Sequence, residues 1–164
     1  MWGQVFTFDI TKIKLNYVKC EDLTPRKEGE NTVKEEFEKL IKEAEKARKR
    51  AYTPYSKFQV GAAVLCADGK MFTGCNIENA SFGLAICAER VAISKAISEG
   101  STKFEAIAVI GDTDKPCSPC GACRQVISEF GEDITLIMAN LKGEVKIKKI
   151  KELLPEAFGK NDLL

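Results

Sequence analysis

The chain has 164 residues, enough for one domain with a substantial core, since domains of this size bury roughly 70% of the surface their unfolded chains expose. Its 25 basic and 24 acidic residues leave a net charge of +1, so no field draws in a polyanion, and neither nucleic acid nor a membrane surface is expected as a partner. It contains no histidine, which removes every imidazole base, every histidine-based triad and every histidine-ligated metal.

The start of the chain, MWGQVFTFDITK, lacks a basic stretch leading into an apolar one, so it does not read as a secretory signal. No apolar run approaches the roughly 20 residues that span a bilayer. Residues 1–32 stand apart from the rest. Val5–Val18 is rich in β-formers, but Pro25 and a polar EGEN stretch follow, so the segment is either an added edge strand or a loose tail.

Thr32-Val33-Lys34-Glu35 has the pattern of a capping box. Val33, Phe37, Leu40, Ile41, Ala44 and Ala47 then recur at helical spacing, predicting a helix to about Arg50. Its basic end, Lys46 to Arg50, is read as complementing the helix dipole rather than as a phosphate site. Phe58–Leu65 is predicted as a strand, Asp68-Gly69 as a hairpin turn and Lys70–Cys75 as the returning strand. A helix from Cys87 to Glu99 is closed by Gly100, and Ala106–Ile110 is a short buried strand. A second helix runs from Cys120 to Phe130 and stops at Gly131. Ile134–Ala139 is a buried strand, Val145–Ile150 a half-exposed one, and short helical pieces follow residue 151. Strands alternating with helices imply a central sheet covered by helices.

Seven cysteines is an odd number, and three crowd into 117–123. Without a signal peptide this points to metal or redox chemistry, not a disulfide framework, and to the cytosol. Cys120 and Cys123 lie three apart at the start of one helix and share a face. Cys87 opens another helix. Helix starts offer unpaired N–H groups and partial positive charge, which stabilise the thiolate that binds metal. Three thiolates leave one tetrahedral zinc position open for water, the arrangement of a catalytic site. Glu89, two residues past Cys87, can bend back toward that water without ligating the metal. Arg90, three past Cys87, lies beside its sulfur. Three thiolates on Zn²⁺ sum to −1, which acidifies water poorly, so Arg90 and the helix ends are needed to withdraw charge.

Two other readings use the same residues. Cys117-x2-Cys120-x2-Cys123 is a fragment of an iron–sulfur pattern, with Cys87 or Cys75 as a distant fourth ligand. Alternatively Cys75 or Cys117 closes the zinc as a four-thiolate structural site in a binding module. Neither gives Glu89 a task. Cys20, Cys66 and Cys75 are otherwise read as structural.

CAER at 87–90 and SPCGACRQ at 118–125, together with AYTPYSKFQVGAAV, GCNIENASFG and the late ELLPEAF, make the chain resemble the cytidine deaminase family, in its small three-cysteine branch. The resemblance runs from about Val33 to Phe158. It implies a three-layer αβα fold around a five-stranded mixed sheet, with residues 33–164 as the catalytic domain and 1–32 an extension of unknown role. It also implies one Zn²⁺ per subunit on Cys87, Cys120 and Cys123, and a homotetramer with shared sites acting on a nucleoside in the cytoplasm. The implied reaction is hydrolysis of cytidine or deoxycytidine by zinc-bound hydroxide attack at C4, with Glu89 shuttling protons. Asn76 and Glu78 would bind the ribose, Phe58 would stack near the pyrimidine, and Phe82 and Phe158 would reach a neighbouring subunit's site. Phe82 stands where many relatives carry tyrosine, and Cys117 is not part of the family pattern. Within the family, the competing substrate is a nucleoside-like antibiotic such as blasticidin.

Overall fold

The computed structural model describes residues 30–163, so the strand-or-tail segment at 5–18 lies outside the described residues. Strands β1 (Val60–Cys66) and β2 (Met71–Cys75) form a hairpin. Its turn carries Gly69 at φ 79°, a conformation that favours glycine, and Cys66 N donates to Lys70 O at 2.9 Å. Strand β3 (Phe104–Gly111) pairs antiparallel with the other side of β1. Strand β4 (Thr135–Asn140) runs parallel to β3, and β5 (Val145–Lys149) returns antiparallel to β4. The mixed sheet is therefore ordered β2-β1-β3-β4-β5. The one parallel pair is joined by a crossover through helix α3 (Gly121–Ser128), as parallel strands require.

Strand alternation sorts the core into two faces. Val60, Ala62, Val64 and Cys66, with Ile107, Val109, Leu136 and Met138, pack against Ala88, Ala92, Ile93 and Ala96 of helix α2 (Ala88–Ser98) and Ile127 of α3. The intervening residues, among them Ala63, Leu65, Ala108, Ile110, Ile137 and Ala139, pack against Leu40, Ile41 and Ala44 of helix α1 (Glu30–Arg48). Covered on both sides, β1 reads as an unbroken buried run, and the three expected layers are present. A last short helix, α4 (Ile150–Leu153), follows β5 directly.

Two glycines let helices lie on bare strand backbone. A Cβ on Gly61 would fall 2.0 Å from the Ala44 carbonyl oxygen of α1. A Cβ on Gly74 would fall 2.4 Å from the Ala88 carbonyl oxygen and 2.5 Å from the Ala92 nitrogen of α2. The two positions are neighbours across the hairpin, Gly61 opposite Cys75 and Gly74 opposite Ala62, but they seat helices on opposite faces.

Two expectations need correction. Helix α1 already includes Glu30, the first described residue, so Thr32 lies inside it and is not its cap. The box pattern marks where a helix can start, and an acidic residue ahead of it suits the first turn equally well. Phe58 and Gln59 precede β1 instead of opening it. Their carbonyls accept from side chains, Phe58 O from Asn76 Nδ2 at 2.8 Å and Gln59 O from Arg48 Nε at 3.1 Å, so they make no ladder bonds there. Of the basic stretch Lys46 to Arg50, Lys46 and Arg48 occupy the last turn of α1, and Lys46 pairs with Glu43 at 2.6 Å. Among the described residues, no helix is long and apolar enough to cross a membrane.

Candidate active site

Packing α2 and α3 on one face of the sheet brings their N-terminal ends together. Cys87 caps α2 and Cys120 caps α3, both with extended backbone and with neither sulfur spent on capping its own helix. Cys123 sits one turn inside α3, fully buried. The Cys87 and Cys120 sulfurs are 3.8 Å apart, and all three sulfurs lie within 4.8 Å of one another. Tetrahedral zinc with Zn–S of about 2.3 Å needs sulfurs separated by roughly 3.8 Å. The donor set and its spacing thus fit a zinc ion.

The sulfurs are electrically unequal. A hydrogen bond from Cys123 holds the Cys87 thiol down at about 6, helped by Cys120 and the Arg90 charge and opposed by burial. Cys123 is raised by the same bond, by burial and by Glu89, so it keeps the proton it donates to Cys87. A metal ion would displace that proton. Glu89, in the first turn of α2, is only 4% exposed. Burial pushes its carboxyl up and the Cys87 charge adds to this, while a hydrogen bond with Cys123 and the Arg90 charge oppose it. Arg90 spends one N–H on the Ala85 carbonyl at 3.1 Å, whereas its buried Nε has no partner. An unspent cationic donor whose charge is felt at Cys87 suits a cluster whose three thiolates with Zn²⁺ would sum to −1.

Among the described residues, these three cysteines are the only group arranged to hold a metal. Neither Cys75 nor Cys117 joins them within 4.8 Å, which leaves the four-thiolate zinc reading without a fourth sulfur, while the iron–sulfur reading gives Glu89 no task. Cys117 is a buried thiol pushed up to about 11 by burial and then by Glu89. A Cβ on Gly111 would lie 3.0 Å from its sulfur and 3.5 Å from Phe58 Cζ, so thiol and ring crowd the same spot.

Phe58, Asn76 and Glu78 belong to two loops laced together. Asn76 Nδ2 donates to Phe58 O, and Val60 N donates to Asn76 Oδ1, each at 2.8 Å. Glu78 Oε2 accepts from Tyr55 N at 2.9 Å and Ser56 N at 3.2 Å, and Ser56 Oγ donates to its other oxygen. The Ser56 hydroxyl and these amides hold the Glu78 carboxyl below its ordinary range. Isolated bridges add further stitches, Tyr52 to Ile77 and Ile77 to Ile86. Phe58 keeps 42% of its surface exposed. Phe82, in a 3₁₀ turn spanning Phe82–Leu84, is 77% exposed and edge-on to Tyr55 at 6.0 Å. Phe158 is 60% exposed, and Tyr52 and Leu84 are also exposed.

Sequence reasoning passed over Ser56, Arg124 and Gln125. Arg124 Nε donates to Pro119 O at 3.0 Å, NH2 to Ser118 Oγ at 2.9 Å and NH1 to Leu153 O at 2.9 Å, fixing the turn that delivers Cys120. Its place beside Cys123 was the available signal.

A sequence profile described as the cytidine and deoxycytidylate deaminase zinc-binding region matches residues 34–139. A cytidine deaminase of Sporosarcina psychrophila is 53% identical over 129 residues, covering 78% of this chain and 95% of that one. The crystal structure of a cytidine deaminase from Burkholderia pseudomallei superposes with TM-score 0.72 at 49% identity, covering 74% of this chain and 98% of that one. A blasticidin-S deaminase of Bacillus cereus is more distant, 30% identical over 114 residues, covering 65% of this chain and 81% of that one.

Proposed function

The chain belongs to the cytidine and deoxycytidylate deaminase zinc-binding family, and on that footing we propose that it hydrolyses the 4-amino group of cytidine and deoxycytidine in pyrimidine salvage. The products are uridine or deoxyuridine and ammonia. The observation that carries this reading is the three-sulfur cluster with a buried carboxyl beside it that is not one of its ligands.

Cys87, Cys120 and Cys123 would hold one Zn²⁺. The ion supplies activation of a water molecule for attack at C4 of the pyrimidine. Glu89 moves the protons, first to N3 of the ring and then to the departing amine. Its burial favours the protonated carboxyl, the state needed of a group that must give a proton to a weakly basic ring nitrogen. Arg90 balances the charge of the sulfurs.

Phe58 offers a ring face to the pyrimidine. Asn76 and Glu78 bind the ribose with the hydrogen-bonding capacity their loop contacts leave over: Asn76 keeps a second N–H and Glu78 keeps free lone pairs. Phe82 and Phe158 extend into a neighbouring subunit's site, and the exposed apolar surface around them supports a homotetramer. Residues 33–164 form the catalytic domain and 1–32 an extension to it, supported by a profile match that begins at residue 34. The cytoplasm is the compartment that free thiols of this kind suit.

Mixing the protein with cytidine and following the loss of ultraviolet absorbance, with zinc counted in parallel, tests the proposal. One zinc per chain with no absorbance change would refute it. The higher identity to cytidine deaminases favours cytidine over an antibiotic, and faster turnover of blasticidin S than of cytidine would reverse that order.

A further inference from the structure

The C-terminal segment after α4 is fastened to helix α3, the helix that carries two of the metal ligands. Arg124 NH1 donates to the Leu153 carbonyl at 2.9 Å, at the end of α4. Gln125 Nε2 donates to the Phe158 carbonyl at 2.8 Å. One turn further along, Glu129 lies 3.6 Å from Lys160 Nζ. Residues 125 and 129 share a helical face, so the segment is held along α3 at two successive turns. Between the first two anchors Glu156 adopts φ 55°, a left-handed conformation that a non-glycine residue takes only when its surroundings impose it. The exposed ion pair is too weak to do this, whereas the two carbonyl bonds flank the residue directly. They fix the backbone on either side of the strained residue.

We infer that Gln125 is a positioning residue for Phe158: by gripping its carbonyl it aims the exposed ring and ties that aim to the helix bearing Cys120 and Cys123. The inference rests on the reading of Phe158 as a contributor to a neighbouring subunit's site. It makes the metal helix and the shared aromatic one mechanical unit. The side chain acts through Phe158 and does not touch substrate.

The test uses three variants of the full zinc-loaded protein. Gln125→Glu keeps the shape but replaces the N–H donor with an oxygen that repels the Phe158 carbonyl. Gln125→Lys restores a donor of similar reach. Phe158→Ala removes the ring. Hydrogen–deuterium exchange over 154–163 should quicken in Gln125→Glu and return toward normal in Gln125→Lys. Zinc content should stay at one per chain. KM for cytidine should rise about three- to tenfold in Gln125→Glu, the worth of one hydrogen bond, with kcat within twofold. In the Phe158→Ala background, the same substitution should leave KM unmoved. Unchanged exchange over 154–163, or a KM effect that persists in full without the ring, overturns the inference. If Phe158→Ala alone leaves KM unchanged, the reading of Phe158 falls and the positioning role with it, while the exchange data separately report whether the fastening exists.

Discussion

Substituting Gly74 by alanine should damage the metal centre without touching any of its side chains. The new Cβ would sit 2.4 Å from Ala88 O and 2.5 Å from Ala92 N, both backbone atoms of α2. Ordinary contact needs about 3.5 Å, so the helix must withdraw by roughly 1 Å. Ala88 stands between Cys87 and Glu89, whereas Cys120 and Cys123 ride on α3 and stay behind. A 1 Å retreat would stretch the 3.8 Å Cys87–Cys120 separation well beyond a tetrahedral zinc edge and pull the carboxyl away with it. Overpacking of this kind costs about 1–3 kcal/mol of stability, and a 1 Å misplacement costs about 10²-fold in rate. Gly61→Ala is the control. Its Cβ meets Ala44 O at 2.0 Å, so the packing insult is at least as severe, but it falls on α1, which carries neither the three cysteines nor Glu89. Melting temperature, zinc per chain after dialysis against a weak chelator, and kcat/KM for cytidine per folded chain should be measured for both. Both variants should melt earlier, and only Gly74→Ala should lose zinc and the turnover that depends on it. If the two variants lose stability alike and Gly74→Ala keeps full zinc and turnover, the seat of α2 does not set the site.

Glu89→Gln should retain stoichiometric zinc yet lose about 10²–10⁴-fold in kcat, as expected for removal of a general acid–base group, and near-normal turnover would contradict the assigned role. Arg90→Ala should fold normally, by circular dichroism, but surrender zinc to a chelator faster or turn over more slowly, because the sulfur charge is less balanced. Unaltered zinc affinity and rate together would count against that electrostatic account. Sedimentation should give a tetramer, and Phe82→Asp should weaken it by placing a charge in an apolar contact; a fully active monomer would dismiss the shared site.

Much of the architecture is written in short-range signals. Gly69 turns the hairpin and Gly100 and Gly131 follow helices, each at positive φ, and the apolar runs of β1, β3 and β4 mark strands covered on both faces. The cluster was legible because Cys87 and Cys120 sit at helix starts, a local property, and α2 and α3 pack on one side of the sheet. The capping box at Thr32 misled because its residues also suit the interior of a helix, where the structure places Thr32. The exclusion of Phe58 and Gln59 from β1 was not legible, since it depends on Asn76 and Arg48, partners 18 and 11 residues away. Arg124 and Gln125 escaped notice for a related reason. Their bonds reach Leu153 and Phe158 across 29 and 33 positions, and no periodicity announces such a reach.

The lacing of residues 52–58 to 76–86 has a consequence for how a ligand is received. With Tyr52, Ile77 and Ile86 bridged and Asn76 and Glu78 gripping backbone, this wall becomes rigid while the chain folds. A ribose bound there as proposed would meet a surface that has already surrendered its conformational freedom, so little affinity would be lost to ordering it. Heat or denaturant that frays the weave should therefore weaken ligand capture before the sheet itself gives way.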